Sequence, residues 1–179
     1  VKVRDADLGI QFWLAEARLE AVGKNRRLEV LEKVLGSALV GKTYEPLFPY
    51  FAELKAEGAF RVFADDYVTT DSGAGVVHLA PAFGEDDFRV MKANGVKTAP
   101  CPVDFEGRFT SEVRDYAGVY VKDADKQIIK RLKDGKQLYH QDVIVHAYPF
   151  CPRSDTPIIY RTIPSWYVKV EDMRARLVA

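Results

Sequence analysis

The chain has 179 residues, 47% of them apolar and 12% aromatic, which predicts a folded domain with a sizeable core and excludes intrinsic disorder. Its 26 basic and 26 acidic side chains balance, so no global field draws the chain to nucleic acid or to a membrane surface. The two isolated cysteines, Cys101 and Cys151, exclude a disulfide framework and favour a reducing, cytosolic setting. No run approaches the roughly 18 apolar residues of a membrane span.

Four segments in the first half of the chain have the apolar, β-branched and aromatic character of strands. They are residues 8–14, 28–35, 60–64 and 67–70. The second of these could equally be a helix, because Leu31 and Leu35 suit helical spacing. Residues 15–22 favour a helix, and the proline-broken aromatic segment 44–51 is predicted to be irregular.

Two helices are predicted in the second half, over residues 86–94 and 121–132. Strand character returns at residues 138–148, 158–160 and 166–170. Because the strands do not alternate regularly with helices, we expect a single α+β domain over residues 1–179, built on a barrel-like or strongly curved sheet. No initiator methionine opens the chain and a helix begins at its very end, so we expect a piece of a larger protein.

The most informative segment is the corner formed by residues 71–88, which reads as a turn, a buried strand, a loop and a helix start. The apolar run 76–80 predicts the strand, Pro81 ends it, and Gly84 lets the chain turn. This order places His78 and Asp87 at the two ends of one short loop, which is a good position for a functional site.

Other chemistries fit this corner less well. The third glycine of a dinucleotide fingerprint would fall on His78, and phosphate loops, nucleophile elbows and zinc helices are absent. Asp71–Ala74 does match the short aspartic-protease signature, which requires a second such loop or a symmetric dimer. A β-turn at this position is the preferred interpretation. His140, His146 and Cys151 have no recognisable ligand spacing, so no metal site is predicted.

Each candidate residue also has a purely structural interpretation. His78 could be a hydrogen-bonded core histidine, and Asp87 could be a first-turn acid that complements the helix dipole. A basic group on the 121–132 helix and just beyond it could contact a phosphate backbone, although a solvated helix face is the preferred interpretation. Its members are Lys126, Lys130, Arg131, Lys133 and Lys136.

The corner 73–87 resembles the G-T-G-x-V-H-x-A-P-x-F-G-x-x-D segment of the editing domain of isoleucyl-tRNA synthetases. The histidine at position 78 is similar to the isoleucyl branch rather than to the valyl and leucyl branches. Residues 39–51, 120–126 and 154–157, with 165–167, resemble the eukaryotic cytoplasmic type. The resemblance covers nearly the whole chain, and it implies the barrel-like editing fold with peripheral helices.

The chain departs from the family pattern in three ways. Ala74 replaces the usual threonine, and Pro152 stands where a tryptophan is expected between Cys151 and Arg153. The family's threonine-rich segment, which supplies one wall of the editing pocket, is not found; Thr69–Thr70 does not match it, and its expected place precedes Val1.

The resemblance implies post-transfer editing, the hydrolysis of valine from mischarged tRNA(Ile). By matching positions, Asp87 would pair with the α-ammonium of the esterified valine. His78, grouped with Asp87 as a catalytic residue, would line the pocket, exclude the extra methyl group of isoleucine and contact the terminal adenosine; it is not assigned as a general base. The backbone would approach the aminoacyl-adenosine at two glycines, at Val77 and along the loop. These substrate-binding positions are Gly73, Gly75, Val77, Ala80, Pro81, Ala82, Phe83 and Gly84.

The resemblance also implies the partners: the tRNA(Ile) 3′ end carrying valine and the remainder of a cytoplasmic synthetase chain, with no membrane. No cofactor is expected for editing, since ATP and Mg²⁺ would serve only the synthetic site of the full-length enzyme. The rival hypothesis is a catalytically incomplete fragment that keeps the fold and binds aminoacyl-adenosine.

Overall fold

The N-terminal part of the chain forms an open antiparallel sheet in a computed structural model, which describes residues 1–143 and 145–178. Its strands are β1 (Lys2–Asp5), β2 (Gln11–Trp13) and β3 (Leu28–Glu32), in the spatial order β2-β1-β3. Val3 of the central strand pairs with Phe12 on one side and Val30 on the other, and its side chain is fully buried. Alternation along β1 therefore directs Val3 and Asp5 to the covered face.

Asp5 joins this sheet to a distant part of the chain. Its buried carboxylate accepts the Leu8 backbone N–H (2.9 Å) and the Tyr139 hydroxyl (2.9 Å), and Arg26 lies 3.3 Å away. Burial raises the pKa of this carboxyl, but these hydrogen bonds and the Arg26 charge outweigh burial and hold the pKa below its usual range. Asp5 is therefore a satisfied, ionised core residue.

The described residues contain four α-helices, the first of them between β2 and β3, and some are extended by 3₁₀ turns. They are α1 (Leu19–Val22), α2 (Glu85–Ala93), α3 (Val121–Asp134) and α4 (Arg174–Leu177). Further 3₁₀ turns span Glu16–Arg18, Gly36–Leu39, Ala52–Glu57, Arg114–Tyr116 and Val170–Met173. The helices predicted at 86–94 and 121–132 are confirmed as α2 and α3, and the one at 15–22 is confirmed as a 3₁₀ turn followed by α1.

A hydrophobic cluster holds α3 against the preceding loop. Ala124 of α3 is fully buried against Val113 and Tyr116. Partly buried side chains complete the cluster: Phe48, Tyr50, Phe109, Val119 and Ile128. The segment 44–51, predicted to be irregular, therefore packs against α3 through Phe48 and Tyr50.

The predicted barrel-like sheet is wrong for the described residues. The strand expected at 8–14 is reduced to β2, the one at 28–35 is confirmed as β3, and the remaining predicted strands are absent from the described residues. These are 60–64, 67–70, 76–80, 138–148, 158–160 and 166–170, and position 144 within them lies outside the described residues. Only isolated bridges such as Thr43 with Arg61 and Phe150 with Pro157 mark them. A strand requires a neighbouring ladder, and β-rich composition alone does not supply one.

None of the helices in residues 1–143 and 145–178 is long and apolar enough to cross a bilayer.

Candidate functional site

The carboxylate of Asp87 lies at the centre of the corner. Asp87 is the third residue of α2, and its side chain reaches back across the loop 81–84. Its Oδ2 accepts the Ala80 backbone N–H (2.9 Å), and its Oδ1 accepts the Tyr67 hydroxyl (3.0 Å). Asp87 is half-buried and forms no ion pair within the described residues. Since each carboxylate oxygen can accept two hydrogen bonds, each keeps capacity for a ligand.

Tyr67 was missed by the sequence reasoning, which assigned it only to a strand. Burial, together with the hydrogen bond to Asp87, raises the pKa of Tyr67 to about 12. The hydroxyl therefore stays protonated at neutral pH and acts as a donor to the Asp87 carboxylate. The sequence shows only that Tyr67 precedes Asp87 by twenty residues. Such a separation does not by itself identify a contact.

Glycine is needed at position 84, at the start of α2, because a side chain there would collide with Asp87, and not because the chain turns. Its backbone is extended (φ −149°, ψ 137°), which any residue adopts, so the prediction that Gly84 lets the chain turn is wrong. A Cβ atom at this position would lie 2.9 Å from Asp87 Oδ2. The absence of a side chain therefore keeps the carboxylate in place.

The loop between the two ends of the corner is tightly folded. The Phe83 N–H donates to the Ala80 carbonyl (2.8 Å), which closes a turn over Pro81. Ala82 is buried, and its carbonyl accepts the Thr162 N–H at 2.8 Å. The C-terminal segment is thus attached to the loop at Ala82.

The glycines that open the corner lie against the N-terminal part of the chain. Gly73 and Gly75 have positive φ values of 55° and 70°, as expected where glycine is needed. A Cβ at Gly75 would clash with the Ala15 Cβ, so Gly75 also permits close packing. Arg18 fixes the turn by donating to the carbonyls of Gly73 and Asp71, each at 2.9 Å.

Asp71 lacks the surroundings of an aspartic-protease carboxylate. Its side chain is exposed and accepts a hydrogen bond from Thr69, which lowers its pKa below the usual value. A shared-proton dyad requires a second carboxylate in contact, and one of the pair then has a raised pKa. The geometry favours the turn interpretation of this segment.

The segment 76–78 differs most from its prediction. Val76 and Val77 are 58% and 47% exposed, and His78 is also exposed, so the predicted buried strand and the core-histidine interpretation are both wrong. No strand pairs with this segment in the part of the chain that the structure describes. His78 and Val77 are therefore accessible at the edge of the corner.

Arg89, on the same helix as Asp87, neutralises the neighbouring acids. It donates to both oxygens of Asp65 (2.7 and 2.9 Å) and to Asp86 (3.1 Å). The Arg89 hydrogen bonds lower the pKa of Asp65 to about 2. Of the acids gathered here, Asp65 and Asp86 are paired with this cation and Asp87 is not. Of these three acids, Asp87 is therefore the one whose carboxylate charge stays unpaired for a ligand.

The basic group of α3 does not act as one patch. Arg131 forms an ion pair with Asp115 and lies over the Phe48 ring at 5.0 Å. Its guanidinium thus contributes to the packing of α3, while Lys126 and Lys130 remain exposed.

The homologues of this chain are isoleucine–tRNA ligases, and no family model matches the chain. It is 54% identical over 184 residues to the cytoplasmic isoleucine–tRNA ligase of Caenorhabditis elegans. The alignment covers 100% of this chain and 16% of the relative. The Bdellovibrio bacteriovorus ligase is 51% identical, over 100% of this chain and 17% of the relative. The cytoplasmic ligase of Saccharomyces cerevisiae is 50% identical, over 97% and 17%. The chain thus spans about one sixth of the length of these relatives.

The Caenorhabditis elegans and Saccharomyces cerevisiae ligases carry the designation cytoplasmic, but the Bdellovibrio bacteriovorus ligase is about as similar to this chain. The identity values alone therefore do not assign the chain to the eukaryotic type.

Proposed function

We propose that this chain is the editing domain of an isoleucine–tRNA ligase, which hydrolyses valine from valyl-tRNA(Ile). The ligase homology over the whole chain supports the family, and the accessible Asp87 carboxylate supports the chemistry. A single domain over residues 1–179 is part of this proposal.

The observation that carries the proposal is the state of Asp87. Two donors hold its carboxylate, no cation in the described residues neutralises it, and each oxygen can accept one more hydrogen bond. An aminoacyl ester carries a free α-ammonium group beside its scissile carbonyl. A charge-assisted hydrogen bond to that ammonium would fix the ester carbonyl relative to the corner.

The reaction itself needs positioning more than a strong base. Water adds to the ester carbonyl, the bond to the ribose oxygen breaks, and the released hydroxyl of the tRNA takes up the proton that water gives up. Placing the water and the ester within reach of each other supplies a large part of such a rate enhancement. The loop 80–84 would contact the terminal adenosine through its backbone, and exposed His78 and Val77 would line the side of the amino-acid pocket.

A second site explains why a ligase would carry such a domain. A hydrophobic synthetic pocket discriminates poorly against a substrate smaller by one methylene, a problem for which isoleucyl-tRNA synthetase is itself the standard illustration. A pocket that admits valine and excludes isoleucine would remove the error after transfer. No cofactor enters this hydrolysis, and ATP and Mg²⁺ belong to the synthetic reaction of the full-length enzyme.

The test is deacylation of valyl-tRNA(Ile), with isoleucyl-tRNA(Ile) as the control substrate. Because the chain spans a sixth of its relatives, the assay uses both this chain and a full-length ligase that carries it. Selective release of valine supports the proposal, and it should survive Asp71→Asn but be lost in Asp87→Asn. Equal release of both amino acids, or acid-optimal peptide cleavage that depends on Asp71, would contradict it.

The exposed edge at 76–78 favours a second candidate, a fragment that binds aminoacyl-adenosine without hydrolysing the ester. Val76 and Val77 leave one side of the site uncovered in the part of the chain described. In that case the full-length ligase releases valine, whereas this chain binds the ester and leaves it intact.

A further inference from the structure

We infer that Tyr67 is the positioning residue for Asp87, and that its hydroxyl orients the Asp87 carboxylate toward the α-ammonium of the substrate. This inference rests on the proposed function, because it deepens the role given there to Asp87. Tyr67 itself contacts the acid and not the reacting ester.

The geometry requires two donors to fix the carboxylate plane. A single hydrogen bond from Ala80 N–H to Oδ2 would leave the carboxylate free to rotate about its last side-chain torsion, which has a broad preference. The Tyr67 hydroxyl holds the other oxygen at 3.0 Å and removes this freedom. The plane of the carboxylate is then fixed before the ligand arrives, which lowers the ordering cost of binding.

Tyr67 is in turn held by the same helix. Its backbone N–H donates to Asp65 Oδ1 (3.2 Å), and Asp65 accepts two hydrogen bonds from Arg89 of α2. The segment around Tyr67 is therefore fastened to α2 at Arg89 as well as at Asp87. Two separate attachments indicate a built support rather than a chance contact between exposed side chains.

Substitution of Tyr67 by phenylalanine removes this donor and keeps the ring. The phenyl ring would fill the same half-buried space as the tyrosine ring, so the fold should change little. Asp87 would keep only the Ala80 N–H.

The experiment measures binding of two nonhydrolysable adenosine ligands by calorimetry, in this chain and in the full-length ligase. One ligand carries valine in amide linkage and has the α-ammonium; the other carries 2-hydroxyisovalerate and lacks it. The readout is the ratio of the two dissociation constants, which a general loss of folded protein does not change. We expect Tyr67→Phe to reduce the preference for the ammonium ligand about 10-fold, because a hydrogen bond to a charged group contributes roughly that much.

Tyr50→Phe is the matched control. The Tyr50 hydroxyl donates to Asp115 Oδ2 at 2.5 Å, so the variant removes the same kind of tyrosine–aspartate hydrogen bond away from the corner. Its ratio should equal that of the wild type.

The outcomes separate the two proposals. If the wild type prefers the ammonium ligand and Tyr67→Phe keeps that preference, the role of Tyr67 is overturned while the proposed function stands. If both ligands weaken equally in Tyr67→Phe, Tyr67 is merely structural and the inference is again overturned. If the wild type shows no preference for the ammonium, the role of Asp87 in the proposed function fails and the inference fails with it.

Discussion

Asp5 and Asp87 are held by similar donors and differ in their burial and in their pairing with a cation. Each carboxylate accepts a backbone N–H from a nearby residue and a tyrosine hydroxyl from a distant one, Tyr139 for Asp5 and Tyr67 for Asp87. Asp5 is fully buried and has Arg26 at 3.3 Å, whereas Asp87 is half-buried and has no cation among the described residues. Arg26 neutralises Asp5 and makes it a structural element. Asp87 has no such cation within the described residues and stays open to a ligand.

Neutralising the charge of Asp87 tests the difference between the two acids most directly. In Asp87→Asn the amide oxygen can still accept the Ala80 N–H, and the amide nitrogen can donate to the Tyr67 oxygen. We expect kcat/KM for valyl-tRNA(Ile) deacylation to fall about 100-fold, as for loss of a charge-assisted contact, with little change in the thermal midpoint. Steady-state kinetics and calorimetric melting measure the two quantities.

Asp86→Asn is the control for that variant, since Asp86 is the neighbouring acid on the same helix and is paired with Arg89. Its kcat/KM should stay within about threefold of the wild type, as for an exposed ion pair. A similar collapse in both variants would show that the general acidity of the helix start, and not Asp87, matters.

The opposite result is expected for Asp5. Asp5→Ala leaves Arg26, the Tyr139 hydroxyl and two backbone N–H groups without their acceptor. We expect the thermal midpoint to fall by about 5–10 °C, in the range of changes that break a buried network. Under conditions where the variant stays folded, its ligand preference should be unchanged. A stable variant with altered ligand preference would reverse the roles of the two acids.

Gly84→Ala tests the position of the Asp87 carboxylate by adding a methyl group beside it. The added Cβ would stand 2.9 Å from Asp87 Oδ2 and displace the carboxylate by a few tenths of an ångström. We expect about a 10-fold loss of kcat/KM, because small misplacements of a positioning group are costly. Gly36→Ala, where a Cβ meets nothing within 4 Å, should be without effect on the same rate.

The smallest expected effect is the pH dependence of the Asp65–Arg89 ion pair, which holds the segment around Tyr67. Since the pKa of Asp65 is about 2 in the folded chain and 3.8 is its ordinary value, its ion pair with Arg89 stabilises the fold above pH 3.8. This contribution is lost as the pH falls toward 2. The difference in thermal midpoint between the wild type and Asp65→Asn should therefore be largest near neutral pH and shrink below pH 4. A difference that grows on acidification would contradict this assignment.

Helices were predictable from the sequence because their signals are local. The apolar face of α3 and the acidic first turn of α2 lie within single segments, and both helices form within two residues of the predicted bounds. Strands depended on partners far along the chain, so the β-rich segments at 60–64 and 166–170 gave no hint that no ladder would form. Asp87 was found through a family motif, while Tyr67 was not, because the contact joins separate elements.

The close approach of Gly75 to Ala15 sets a limit on protein engineering. The first half of the corner is moulded against the turn at residues 15–18, with Ala15 N–H donating to the Ala74 carbonyl at 2.8 Å and Arg18 holding the next turn. A transplant of residues 71–88 into another scaffold would remove the residues against which the first half of the corner packs. The graft would have to carry residues 15–18 as a second, discontinuous piece, and substitutions at positions 15 and 75 would have to be chosen together.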